Sequence, residues 1–162
     1  MESSWATTPA VRKAMQGNHS RDTKPELAVR RILHAKGLRY RVSYRPIPGL
    51  KRTADVVFTR LKVAVFIDGC FWHGCPTHYR APRSNTPYWE VKLQRNQSRD
   101  AEISQKLRLA GWTELRFWSH EDPLIVADRI HQEICQAKQR LAKEKPEVST
   151  PRRSCKFFRL TP

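Results

Sequence analysis

The chain has 162 residues, with 31 lysines and arginines against 15 aspartates and glutamates, a formal charge of +16. That length suits one domain with a real core, and that charge exceeds what solubility needs, so a polyanionic partner is expected, nucleic acid first. No apolar run approaches the roughly 18 residues of a membrane span, and no clean basic amphipathic helix argues for a membrane-surface protein. The start, Met1-Glu2-Ser3-Ser4-Trp5, lacks the apolar core of a secretory signal. The cytoplasm is therefore the expected location, where closely spaced cysteines serve metals better than disulfides.

Residues 1–22 read as a basic arm with Arg12, Lys13, His19 and Arg21 and no steady periodicity. An arm lying along DNA and a lead-in without fixed structure are both open readings. Thr23-Lys24-Pro25-Glu26 has the form of a capping box and opens a helix to about Lys36, closed by Gly37. Ala28, Val29, Ile32 and Leu33 form its apolar face. Glu26 either serves that cap or reaches a functional site. Leu38 to Tyr44 alternates as a strand with a basic outer face, and residues 45–52 form a loop. A second strand, Ala54 to Thr59, turns through Arg60-Leu61-Lys62 into a third, Val63 to Asp68. A tight hairpin sets Asp55 opposite Ile67, with Asp68 beside it. Charged groups in apolar strands are costly unless paired or metal-bound, so the two acids make a seat for a divalent cation. Asp68 as a simple loop cap is the alternative.

The third strand runs into Asp68-Gly69-Cys70-Phe71-Trp72-His73-Gly74-Cys75-Pro76-Thr77-His78. Cys70, Cys75 and His78 are three soft ligands in nine residues, a pattern suited to a zinc-stapled loop; the bland reading is buried cysteines in a reducing compartment. A structural zinc site needs a fourth ligand. The candidates elsewhere are His120, His131, His34, His19, Cys135 and Cys155. His73 either joins the metal or faces Asp68, where an imidazole of pKa about 6.5 can exchange a proton near neutrality.

Residues 79–87 form a basic loop with Arg80 and Arg83. A long helix follows, Tyr88 to Ala110, closed by Gly111. Its stripe of Trp89, Leu93, Asn96, Asp100, Ile103, Leu107 and Ala110 is interrupted by two polar groups that need partners. For Asp100 the candidates are a catalytic histidine and an arginine. Trp112 to Trp118 is a strand whose end, Ser119-His120, can return to the cysteines. Asp122-Pro123 caps a last helix to about Lys143, with Leu124, Ala127, Ile130, Ile134 and Leu141 on one side. Residues 144–162, rich in Pro, Ser, Thr, Arg and Lys, read as a disordered basic tail. The order gives an α/β (α+β) fold, a mixed central sheet flanked by helices.

The strand followed by D-G-C-F-W-H-G-C-P-x-x-H, then N-T-x-Y-W and N-x-x-R-D on a helix, then G-W and a strand ending in W, resembles the very-short-patch repair (Vsr-type) mismatch endonucleases. The resemblance spans about Arg12 to His120. It implies a restriction-endonuclease-like core over residues 23–143, although the usual PD-(D/E)xK string is not literally present. It implies nicking of one strand beside the T of a T·G mismatch, the product of 5-methylcytosine deamination, with catalytic Mg2+ and structural Zn2+. By position it gives Asp55 and the backbone of Ile67 to magnesium, His73 to catalysis, Asp100 to orienting that histidine, and Glu26 to holding water. It gives Cys70, Cys75, His78 and His120 to zinc. It gives Phe71, Trp72 and Trp89 to wedging between base pairs, and Met15 to the minor groove. Two positions depart from the best-known member: Asp68 replaces a second histidine, and His120 replaces a cysteine. The first is expected to strengthen cation binding in the catalytic group; the second keeps a zinc-competent ligand.

Under this reading Asp55 holds the ion and His73 takes the proton of the attacking water, its tautomer held by Asp100. A mismatch stacks poorly, so wedging costs less there by about a few kcal/mol. Arg80, Arg83, Lys92, Arg95 and Asn96 are the expected DNA contacts. The expected partner is duplex DNA with a T·G mismatch, and repair proteins are a further class. The expected protein is a nucleoid-associated bacterial monomer. Two rivals stand beside this: a non-catalytic zinc-stapled nucleic-acid-binding module, and a restriction-type nuclease of paired DNA.

Overall fold

The computed structural model describes residues 21–144. Met15, His19 and nearly all of the expected arm, and the expected tail past 144, lie outside the described residues. The elements are α1 (Lys24–Ala35), β1 (Arg41–Tyr44), β2 (Ala54–Phe58), a 3-10 turn (Thr59–Leu61), β3 (Val63–Asp68), α2 (Cys70–His73), α3 (Thr86–Leu109), β4 (Thr113–Trp118) and α4 (Pro123–Glu144).

The four strands stand in the order β1-β2-β3-β4. The first two pairings are antiparallel, and β3 pairs with β4 in parallel. A parallel pair needs a crossover, and the long helix α3 provides it. The sheet is mixed, with helices on both faces. Side chains alternate along a strand, so β3 serves two cores. Val63 and Val65 pack with Val29, Leu33, Ile130 and Ile134 of α1 and α4, and Ile67 packs against that cluster. Ala64 and Phe66 meet Ile103 and Leu107 of α3 on the other face. Asp68 shares the parity of the second set, which aims it at α3. No helix among the described residues is long and apolar enough to cross a membrane.

Several local expectations are corrected. The first strand begins at Arg41, not Leu38: Gly37 turns at φ +76°, and the Leu38 N–H donates to the Leu33 carbonyl at 3.1 Å. That contact closes α1 and buries Leu38 before the strand starts. The capping box forms differently. Thr23 makes no side-chain cap; its hydroxyl donates to Glu26 Oε1 at 2.7 Å, and the Asp22 N–H donates to Oε2 at 3.0 Å. The β2–β3 register runs Val56 opposite Val65, which by continuation places Phe66, not Ile67, across from Asp55. The 3-10 turn and Lys62 at φ 50° absorb the offset. On α4 the inward set is Val126, Ala127, Ile130, Ile134 and Ala137. Leu124 falls off that arc and is 60% exposed; Leu141 keeps the phase, but α4 has 22 residues against 12 in α1, and it is 41% exposed.

Candidate active site

His73, Asp68, Asp100, Glu114, Arg52 and Arg116 form one network where β3 ends. His73 Nδ1 lies 2.5 Å from Asp100 Oδ2, and the imidazole side chain is 8% exposed. A carboxylate on Nδ1 selects the tautomer that puts the lone pair on Nε2, where Arg52 Nη2 lies 3.1 Å away. Asp100 comes from α3, one turn before Ile103 anchors that helix to the sheet, so the apolar stripe aims it. Burial pushes the Asp100 carboxyl up, but the hydrogen bond with His73 and the Arg116 and Arg52 charges outweigh burial and hold it below its ordinary value. It therefore stays an anion beside the ring.

Asp68 Oδ1 lies 3.7 Å from His73 Nε2. Its other oxygen accepts from Arg116 Nη1 at 2.6 Å. Asp68 thus reaches the imidazole with its charge already opposed by Arg116. Arg116 comes from β4, level with Phe66 in the parallel register, and its guanidinium lies 4.7 Å from that ring's centroid. It also reaches Glu114 at 2.6 Å and Asp100 at 3.4 Å. Burial pushes Arg116 down, but Asp68, Glu114 and Asp100 more than offset it.

Asp55 sits apart from that network. Its Oδ2 accepts the Ile67 N–H at 2.7 Å. Burial raises its pKa to about 6, with the Glu26 and Asp68 charges adding and the Ile67 and Arg52 contributions opposing. A carboxylate that binds protons this readily is short of a counter-cation, so Asp55 fits a divalent ion on its own chemistry. Glu26 is buried close enough to act on it through space, while both its oxygens serve the start of α1.

The segment after Asp68 is a single helical turn, where the sequence reading had only a loop. Gly69 starts it and Gly74 ends it at φ +69°. A Cβ at Gly74 would lie 2.9 Å from Gln97 and 3.0 Å from Leu93 on α3, so glycine lets the turn close against that helix. The turn puts Cys70 and His73 at its two ends. Parallel pairing of Asp68 with Trp118 carries the chain on to Ser119, whose N–H donates to the Asp68 carbonyl at 2.9 Å. His120 then arrives beside Cys70. The donor atoms of Cys70, Cys75, His78 and His120 all lie within 4.8 Å of one another. Cys70 Sγ to His120 Nδ1 is 3.1 Å, and Cys75 Sγ is 3.7 Å from His120 and 3.9 Å from His78. Tetrahedral sites with S and N donors have edges of about 3.3–3.8 Å, so the set can hold an ion. Burial pushes the Cys75 thiol up, but hydrogen bonds from the His78 and Thr77 backbone and from the His78 and Cys70 side chains bring it down to about 7. Thiolates are what a metal binds.

Beyond His73 the turn shows an aromatic cluster toward α3. Phe71 lies 5.1 Å from Trp72 and 5.2 Å from Trp89, centroid to centroid, both edge-on. Lys92 Nζ lies 5.0 Å from the Trp72 ring and 5.2 Å from that of Trp89. The rings are half-buried rather than absorbed into either core. Asn96 donates to the Trp72 carbonyl at 2.8 Å, so this expected DNA contact is engaged in holding the turn to α3. Arg80, Arg83 and Arg95 are exposed.

The cleft bounded by Asp68, His73, Asp100 and Arg116 has a volume of about 250 Å³. A larger groove of about 590 Å³ lies near Phe58, Arg60 and Lys138, and no carboxylate, thiol or imidazole lines it. The acids and the imidazole line the smaller one. Two residues against His73 and Asp100 have no role in the sequence analysis. Arg116 had a signal, since Glu114 and Arg116 alternate with Leu115 and Phe117 in β4. Arg52, whose Nη2 lies 3.1 Å from His73 Nε2, had none beyond standing three residues before Asp55.

The family model described as DNA mismatch endonuclease Vsr matches residues 6–79. The chain is 52% identical over 123 residues to the Type II nicking enzyme V.NaeI of Lentzea aerocolonigenes, covering 72% of this chain and 74% of that protein. It is 41% identical over 142 residues to the Type II nicking enzyme V.NmeDIP of Neisseria meningitidis serogroup C, covering 84% and 93%. It is 31% identical over 107 residues to the DNA mismatch endonuclease Vsr of Escherichia coli strain K12, covering 65% and 67%. Identity at that level over most of both chains, together with an oriented imidazole among acids beside a Cys/His cluster, leads to one conclusion: this chain belongs to the Vsr family and is a DNA endonuclease.

Proposed function

We propose that this protein nicks one strand of duplex DNA next to the T of a T·G mismatch, by magnesium-dependent phosphodiester hydrolysis. The observation that carries the reading is the His73 imidazole, fixed by Asp100 on one nitrogen and lining the cleft with Asp68 and Arg116. Asp55 and the Ile67 backbone would hold magnesium, with Glu26 nearby. The ion's contribution is positive charge against the phosphate.

His73 Nε2 accepts a proton from water as the water oxygen bonds to phosphorus. The bond from phosphorus to the leaving deoxyribose oxygen breaks, and that oxygen takes its proton from solvent. Asp100 balances the imidazolium that forms. Asp68, paired with Arg116, keeps the ring from swinging. Cys70, Cys75, His78 and His120 would hold zinc, which fixes both ends of the turn bearing His73. Phe71, Trp72 and Trp89 enter the duplex where stacking is weakest, which gives mismatch preference through deformability. Arg80, Arg83, Lys92 and Arg95 take phosphates, so affinity falls as salt rises. The arm with Met15 and the basic tail flank this domain, and the protein acts as a monomer in the cytoplasm.

A second reading is a restriction-type nuclease that cuts paired DNA; several relatives are named Type II nicking enzymes, a name that specifies no mismatch. A panel of duplexes decides between them, with T·G, other mismatches and full pairing in varied flanking sequence, each in magnesium and in EDTA. Magnesium-dependent nicking confined to T·G is the expected result. Equal cutting of the paired duplex overturns it.

A further inference from the structure

Two guanidiniums contact the His73–Asp100 pair, and they are held differently. Arg116 is fully engaged. Its Nε goes to Glu114 at 2.6 Å, Nη1 to Asp68 at 2.6 Å and Nη2 to Asp100 at 3.4 Å. Arg52 has two longer contacts, 3.1 Å to His73 Nε2 and 3.3 Å to Asp100 Oδ1. Its side chain is 32% exposed, and it comes from the loop between β1 and β2 rather than from a strand.

The first of those contacts conflicts with the reaction. With Nδ1 committed to Asp100, Nε2 is the nitrogen that must receive the water's proton, and Arg52 covers its lone pair. The second contact is to a carboxylate already satisfied by His73 and Arg116. Neither matches what a guanidinium binds best, two oxygens of one anion in a fork. Arg52 stands against His73 and close enough to Asp55 for its charge to act there, so an anion entering on that side meets its guanidinium.

We infer that Arg52 is a catalytic residue of the nicking reaction: when DNA enters, its guanidinium leaves His73 Nε2 and forks onto the non-bridging oxygens of the scissile phosphate. One movement uncovers the base and adds positive charge where the phosphorane gathers negative charge. Without DNA the same residue keeps the imidazole capped. The inference rests on the endonuclease reading and adds the group that meets the phosphate.

The test uses the full chain and the duplex that the wild type nicks fastest. Single-turnover rates are measured in magnesium, and DNA affinity in calcium, for wild type, Arg52→Ala, Arg52→Lys and His73→Ala. Arg52→Ala is expected to nick about 10²–10³ times more slowly, with affinity within about fivefold of wild type. Arg52→Lys should recover part of the rate, because charge returns without the fork. Added guanidinium should speed Arg52→Ala and leave His73→Ala unchanged, which a structural role would not produce. If Arg52→Ala melts early, Arg52→Gln, neutral and of similar reach, carries the comparison. The inference is overturned if the neutral variant nicks within about threefold of wild type, or if rate and affinity fall by the same factor. A wild type that nicks no duplex defeats the endonuclease mechanism instead, so the two failures are distinct.

Discussion

The two faces of the sheet are built from the same strands and spend them differently. Under α1 and α4 the contacts are apolar throughout, with Val63 and Val65 against Val29, Leu33, Ile130 and Ile134. Under α3 the packing is apolar only at one end, where Ala64 and Phe66 meet Ile103 and Leu107. At the other end the same parity delivers Asp68 to His73, Arg116 and Asp100. Apolar contacts tolerate small shifts. The charged end works only while each group holds the next. One face anchors the sheet, and the end of the other is free to carry chemistry at some expense in stability.

Single substitutions should separate the two faces. The largest effect belongs to the charged end: His73→Ala should slow single-turnover nicking by about 10²–10⁴, with a melting temperature close to wild type. A large loss of stability there would break the comparison. Leu33→Ala on the closed face should cost about 2–5 kcal/mol in a denaturant titration, while the rate per folded molecule stays unchanged. A rate loss in that variant would show the faces to be coupled.

Asp55 sharpens the contrast, because there the site opposes the fold. Its pKa is about 6 in the folded chain against an ordinary 3.8. The folded state therefore holds that proton more tightly than the unfolded chain. In a chelator, this contribution to stability is present at low pH and is lost as pH rises from about 4 to about 6. Asp55→Asn removes that dependence and should be the more stable protein above the window, by up to about 3 kcal/mol, while losing nicking. Thermal melts of both proteins across pH, with and without magnesium, check this; magnesium should raise the wild-type midpoint alone.

Legibility followed distance along the chain. Cys70, Cys75 and His78 stand within nine residues, so their shared chemistry is visible in one glance at the sequence. Asp100 was visible as a polar break in the α3 stripe, although whether histidine or arginine met it was not; the structure supplies both. Glu26 was read as either cap or site residue, and it touches the cap while acting on Asp55. The β2–β3 register was off by one, because a 3-10 turn with a left-handed Lys62 leaves no clear mark in Arg60-Leu61-Lys62. The pairing of Asp68 with Arg116 was invisible, since the partners lie 48 residues apart and join through a crossover.

By itself the sequence determined the order of helices and strands, the two-sided parity of β3 and the residue types able to bind metal and move protons. These follow from periodicity and side-chain chemistry, which act over a few residues. Only the tertiary structure decided which arginine meets which acid and that Arg52 covers the imidazole. Long charged side chains can reach many partners, and the parallel pairing of β3 with β4 selects among them by bringing distant segments level.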